Sequence, residues 1–133
     1  MADRYFSPAE VEALIPALME LMERVMAGHR EAGAVRERMH AEQRRIMLVG
    51  GAVLDREAWR AERQRLERLV EQTQEALNEI LALGGVPKDL ELGLVDFPHL
   101  RRGQEVNLCW KRGEHEIRYW HGLDEGYAAR KPL

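Results

Sequence analysis

Residues that could do chemistry are concentrated near the end of the chain. His121, Asp124 and Arg130 lie within a ten-residue stretch that directly follows the aromatic pair Tyr119-Trp120. An imidazole beside a carboxylate can transfer protons, and functional side chains often lie on loops that a rigid scaffold holds in place. We therefore expect the functional site in this loop, with His121, Asp124 and Arg130 as the candidate catalytic residues.

Two other carboxylates could join His121 and Asp124 in a metal site. Asp96 lies in one predicted strand, and Glu114 begins another. One imidazole nitrogen and two carboxylate oxygens can bind a divalent cation, so the candidate metal ligands are Asp96, Glu114, His121 and Asp124. His121-x-x-Asp124 is no recognised metal signature, however. Two alternatives stay open: internal pairing, for example of Arg130 with Asp124, and an anion or small ligand bound through Arg130.

A long helix is predicted at the start of the chain. Ser7-Pro8-Ala9-Glu10 is a capping-box sequence, in which the first and last side chains each accept a hydrogen bond from an orphan backbone amide. Apolar residues then recur at spacings of four and three, which predicts a helix over about 8–47. Gly28 and Gly33 each cost about 1 kcal/mol relative to Ala, so a break between them is an open alternative.

A second helix is predicted over about 56–83, antiparallel to the first. Asp55 can cap its start, and Gly84-Gly85 ends it, with Pro87 just beyond. The turn between the helices is predicted at Val49-Gly50-Gly51-Ala52. Residues 1–85 are therefore expected to form a long helical hairpin.

The apolar period changes to two after the hairpin, and segments 93–98, 105–110 and 114–121 predict three strands. The predicted fold class is α+β, a long antiparallel helical hairpin capped by a small three-stranded antiparallel β-unit. The chain is interpreted as one domain, with the β-unit and a C-terminal loop over 86–133.

The pairing of the last two predicted strands follows from their apolar residues. Pairing Trp110 with His115 gives one apolar face, which consists of Val106, Leu108, Ile117 and Tyr119, with Leu108 opposite Ile117 and Val106 opposite Tyr119. The first helix is longer than the second and has unpartnered apolar residues near its start. We expect the apolar face of the β-unit to pack on residues 8–21.

Composition excludes several classes of protein. The net charge is −3 and acidic residues interleave with the arginines, so nucleic-acid binding is not expected. Cys109 is the only cysteine, which rules out a disulfide framework. We find no apolar leader, membrane-length apolar stretch, phosphate-binding loop or nucleophile elbow. These features predict a cytoplasmic protein without a strong catalytic motif.

Self-association is expected because the helices carry more apolar residues than one seam can bury. These extra residues are Ile15, Met22 and Met26 in the first helix and Val70 and Leu77 in the second. A second hairpin could cover them in a four-helix bundle, which predicts a homodimer.

Motifs spread along the chain also resemble a known family. They are Tyr5-Phe6-Ser7, Leu14-Ile15-Pro16, Gly93-Leu94-Val95-Asp96-Phe97-Pro98, Cys109-Trp110, Gly113-Glu114, Glu116-Ile117, Tyr119-Trp120-His121, Asp124, Gly126 and Arg130. Together they resemble the bacterial family catalogued as domain of unknown function 2203. The resemblance implies a small soluble bacterial protein and brings no established activity. The leading hypothesis is an interaction or structural role, and the alternative is a metal-dependent or His–carboxylate enzyme.

Overall fold

The computed structural model describes residues 2–50 and 55–133. Two helices are followed by one five-stranded antiparallel sheet, in which the strands are neighbours in chain order. The elements are α1 (Pro8–Val49), α2 (Arg56–Ala82), β1 (Val86–Asp89), β2 (Leu94–Arg101), β3 (Gln104–Lys111), β4 (Tyr119–His121) and β5 (Lys131–Pro132), with a short 3-10 turn at Tyr127–Ala129. The predicted α+β fold with a helical hairpin is confirmed, but the sheet has five strands rather than three.

The start of α1 is fixed by the predicted capping box. The Ser7 hydroxyl accepts a hydrogen bond from the Glu10 amide at 3.1 Å, and the Glu10 carboxylate accepts one from the Ser7 amide at 2.9 Å. The helix then continues without a break past Gly28 and Gly33. Packing against α2 requires a glycine at position 28, because a Cβ there would collide with the hydroxyl of Thr73. The glycine therefore lets the two helices approach closely.

Both ends of α2 match the prediction closely. The Asp55 carboxylate accepts hydrogen bonds from the amides of Glu57 and Ala58, both at 3.1 Å. At the other end Gly84 has a φ of +102°, and the Gly85 amide donates to the carbonyl of Ile80 at 3.2 Å. This is the hydrogen bond of a glycine-terminated helix. The second half of the predicted turn at Val49–Ala52 lies outside the described residues, which omit 51–54.

The predicted register between the last two strands is wrong by three residues. Leu108 pairs with Trp120 and Asn107 pairs with His121, whereas the prediction placed Leu108 opposite Ile117. The connection after β3 is longer than a tight hairpin because Glu114 closes a turn there. Its carbonyl accepts a hydrogen bond from the Trp110 indole at 2.9 Å, and its carboxylate accepts one from the Lys111 amide at 2.7 Å. Residues 115–118 then run outside the sheet before β4 begins.

One face of the sheet packs on the first half of α1. The shared core consists of Phe6, Val11, Ile15, Leu18, Leu21, Met22, Val25, Ala76, Ile80, Val95, Phe97, Leu108, Trp110 and Ile117. The expected packing on residues 8–21 is confirmed for Leu108 and Ile117. Val106 is buried outside this cluster, and Tyr119 faces the other side of the sheet because the register differs. In the described part of the chain, neither helix is long and apolar enough to cross a membrane.

Candidate functional site

Three side chains of different chemistry meet on the sheet face that points away from the helices. Asp96 pairs with Cys109 across β2 and β3, and His121 pairs with Asn107 across β3 and β4. Because residues two apart on a strand share a face, Cys109 lies beside both Asp96 and His121. Potential ligand atoms of the three side chains lie within 4.8 Å of one another, and all three residues are buried.

His121 makes a hydrogen bond at each ring nitrogen. Nδ1 lies 2.8 Å from the Gly122 carbonyl and Nε2 lies 3.0 Å from Oδ1 of Asp96. A carbonyl only accepts hydrogen bonds, so Nδ1 must carry a proton. The contact with Asp96 then needs one further proton, held either by Nε2 or by the carboxyl group. Burial raises the pKa of Asp96, and the nearby His121 offsets this only in part.

The thiol of Cys109 is held in its protonated form. Burial first, and the Asp96 carboxylate second, raise the pKa of Cys109 to about 12. The guanidinium of Arg130 acts in the opposite direction, since a nearby cation favours the thiolate. At neutral pH the thiol is therefore neutral unless another cation displaces its proton.

Arg130 is fixed by an ion pair and two aromatic rings. Its Nη1 donates to both carboxylate oxygens of Glu114, at 3.0 and 3.1 Å. The guanidinium carbon lies 4.3 Å from the ring centre of Tyr119 and 4.4 Å from that of Tyr127. Glu114 also accepts the Lys111 amide, so this carboxylate already has its partners. Arg130 thus pairs with Glu114 and not with Asp124, the partner suggested from sequence.

Asp124 does not join the cluster. It is exposed, and it is absent from the walls of the small cavity that His121 lines. The adjacent Glu125 instead folds over the face: its carboxylate accepts the Gly122 amide at 2.7 Å and binds the Lys131 ammonium at 2.6 Å. Of the four candidate metal ligands, the structure brings Asp96 and His121 together and leaves Glu114 and Asp124 elsewhere.

A cavity of about 110 Å³ lies beside the cluster, under the loop that follows β4. Its lining residues are Lys88, Leu94, Asp96, Asn107, Cys109, His121, Leu123, Glu125, Gly126 and Tyr127. This volume can hold a few water molecules, because each water takes up about 30 Å³ in the liquid. The cluster is therefore buried in the protein but borders a space that a small ligand could occupy.

A family model described as "Uncharacterized conserved protein (DUF2203)" matches residues 4–133. This chain belongs to the DUF2203 family. No curated protein and no solved structure matches it. The match covers nearly the whole chain, as the resemblance in the motifs predicts, and supplies no activity or site residues for this DUF2203 protein.

Sequence reasoning missed Cys109 as a member of the cluster in this DUF2203 chain. Cys109 enters the sequence-based predictions as the lone cysteine that excludes disulfides and as part of a family motif, but not as a candidate metal ligand. The available signal was its position in a predicted strand, on the face opposite the apolar residues Val106 and Leu108. A cysteine on that face can meet polar side chains of the neighbouring strands, and here it meets Asp96 and His121.

Proposed function

We propose that this chain is a structural or interaction module that forms homodimers through its helical hairpin. The observation that carries the proposal is a second apolar stripe on α2, here named the flank stripe, which consists of Trp59, Leu66, Val70, Leu77 and Leu81. Its spacings of seven and four place these residues on one helix face. Val70 and Leu81 are 42% and 50% exposed, and the other three are half-buried.

The flank stripe borders the inner stripe, which is the stripe of α2 that contacts α1, and Trp59 itself lines a groove together with Met39 of α1. Ala76 and Ile80 are the only fully buried residues of α2, and both belong to the inner stripe. The last α1 residue in the shared core is Val25. Beyond that point, toward the far end of the hairpin where α1 ends, α1 and α2 form a two-helix layer that extends past the core. Such a layer buries only one stripe per helix, and a second copy could cover the other in a four-helix bundle.

Ion pairs alone would hold this two-helix layer weakly. Arg38–Glu62 and Arg65–Glu31 join the helices at 3.3 and 3.7 Å, and their side chains are between 37% and 56% exposed. Exposed pairs of this kind contribute about 0–1 kcal/mol each. Apolar burial in a dimer would therefore add more stability to the far end of the hairpin than these surface contacts do.

Three of the five residues that suggested dimerisation from the sequence do not support it, and a fourth, Leu77, can contribute only through the part of its side chain that its own core leaves uncovered. Ile15 and Met22 are buried in the core of their own chain, and Met26 and Leu77 pack against that core. Of that set only Val70 is an exposed residue, because the sheet covers the part of α1 that the sequence left without a partner. The proposal therefore rests on α2.

Sedimentation equilibrium of the full chain tests the proposal. We expect a dimer at tens of micromolar for the wild type and a monomer for Val70→Glu, because a charge in the flank stripe would be buried without a partner. Gln72→Glu is the matched control, since it adds the same charge at an exposed position outside the stripe and should remain dimeric. A wild-type monomer, or a Val70→Glu dimer of unchanged affinity, would contradict the proposal.

The alternative is a metal-dependent or His–carboxylate enzyme with its site in the C-terminal loop. A proton-transfer role for His121 has little support, because both ring nitrogens already have partners and the side chain is buried. The metal-dependent form is supported better, since Cys109 adds a sulfur ligand to Asp96 and His121. Asp124 and Arg130 would then lie outside the set of ligands.

A further inference from the structure

We propose that Asp96, Cys109 and His121 form a mononuclear binding site for a divalent transition-metal ion of the zinc class. The three residues offer one oxygen, one sulfur and one nitrogen, which are the donor types that zinc takes in proteins. Each comes from a different strand, so the sheet backbone holds their relative positions. This site differs from the sequence-derived ligand set and is independent of the proposed dimer.

The distances suit a tetrahedral ion after small side-chain movements. Zinc bonds of about 2.0–2.3 Å place pairs of ligand atoms about 3.4–3.6 Å apart. Asp96 Oδ1 and His121 Nε2 are 3.0 Å apart and must separate by about half an ångström to admit the ion. No pair of ligand atoms in the cluster exceeds 4.8 Å. Among residues 2–50 and 55–133, no other group of three or more such side chains comes this close.

The surroundings already orient the ligands as a metal site requires. The Gly122 carbonyl accepts a hydrogen bond from the Nδ1–H of His121, which leaves Nε2 as the nitrogen that faces Asp96. A backbone carbonyl in this role is a common partner of metal-bound histidine. Arg130 favours the thiolate of Cys109, and Glu114 holds Arg130 in place. The Gly122 contact fixes the neutral imidazole tautomer that binds a metal through Nε2, and Arg130 partly offsets the burial that otherwise keeps the Cys109 thiol protonated.

Charge balance also favours an ion of charge +2. Metal binding would replace two protons, one on the Cys109 thiol and one shared by Asp96 and His121, and both would pass to solvent. The thiolate and the carboxylate then neutralise the ion inside a buried region, where an uncompensated charge would be costly. A structural hydrogen bond would account for Asp96 and His121 by themselves. It would not account for the thiol of Cys109 or for the cavity, which lie on the same face of the sheet.

The cavity gives the proposed ion a fourth coordination position. Three protein ligands with one open position are typical of catalytic zinc sites, whereas structural zinc sites have four protein ligands. Lys88, Asn107 and Tyr127 also line this space and could contact a small molecule bound there. The site would accordingly take an exchangeable fourth ligand, such as water.

Titration of the untagged, metal-free full chain with Co²⁺ tests the site directly. We expect tetrahedral d–d bands and a thiolate-to-cobalt charge-transfer band, both saturating at one ion per chain and both lost when Zn²⁺ is added. Cys109→Ser should abolish the charge-transfer band, and Asp96→Asn should weaken binding by at least about tenfold. Asp124→Asn, in the exposed neighbouring loop, is the matched control and should bind like the wild type.

Two results would overturn the proposal. One is a wild-type titration without a charge-transfer band, and the other is Co²⁺ binding of equal affinity in Cys109→Ser, which would place the ion elsewhere. If the variants fail to fold, the wild type still decides. Zn²⁺ should raise its melting temperature as the ion concentration increases above the dissociation constant, and an unchanged melting temperature would also refute the site.

Discussion

Raising the pH from 8 to 10 should destabilise the metal-free protein through Cys109. The ordinary pKa of the thiol is 9.0, and burial raises it to about 12 in the folded chain. Between these two values the unfolded chain loses the thiol proton while the folded chain keeps it. The unfolded state then binds fewer protons, so the free energy of unfolding falls as the pH rises through this window.

The size of the effect follows from the two pKa values. At pH 10 the thiol should lower the free energy of unfolding by about 1.4 kcal/mol, and at pH 8 by only about 0.1 kcal/mol. Urea unfolding at both pH values, with a chelator present, measures the change. Tyrosine and lysine side chains also titrate at high pH, so the comparison is with Cys109→Ala. That variant loses the same apolar burial at both pH values, but it has no thiol whose titration could lower its stability between pH 8 and 10.

The difference between the wild type and Cys109→Ala carries the test. If the wild type and Cys109→Ala lose equal amounts of stability between pH 8 and 10, the folded protein does not hold the thiol in its neutral form. One equivalent of Zn²⁺ supplies a second check, because a metal-bound thiolate has no proton left to lose. With zinc present, the loss specific to Cys109 should disappear.

Two further predictions concern stability. His121→Ala should lower the free energy of unfolding by about 3 kcal/mol, because it leaves Asp96 buried without its partner. Asp124→Asn, at an exposed position, should change it by less than about 0.5 kcal/mol. Equal effects of the two variants in urea unfolding would show that the Asp96–His121 pair contributes nothing. Gly28→Ala should lower the free energy of unfolding by about 1–3 kcal/mol, because the added methyl group pushes the helices apart, and combining it with Thr73→Ala should restore most of that loss. If thermal unfolding shows that the effects of the two substitutions simply add, the close approach of the helices at Gly28 is refuted.

The ends of the helices were predictable because they depend on neighbouring residues. Ser7 and Glu10 satisfy each other's amides within one turn, and Gly84 follows α2 with the positive φ that glycine tolerates best. These interactions need no knowledge of the rest of the fold. The continuity of α1 past Gly28 was not predictable in the same way, since the reason lies on another helix.

The two edge strands were missed because they carry almost no periodic signal. β1 has four residues and includes Pro87, and β5 has only two. A period of two cannot be recognised in segments so short, and proline argues against a strand unless the strand lies at an edge. Their positions are set by pairing with β2 and β4, which is information that a single segment does not contain.

The candidate site was only half predictable, and the register of β4 explains why. A shift of an odd number of residues exchanges the two faces of a strand. The predicted pairing put Tyr119 on the apolar face, and alternation then puts His121 there as well. The observed shift of three residues moves both to the opposite face, where Asp96 and Cys109 lie. Sequence reasoning grouped His121 with Asp124 because the two residues are close along the chain. The residues that actually meet His121 are its neighbours on adjacent strands, and the register of β4 decides which residues these are. That register in turn depends on how Glu114 closes the turn before β4.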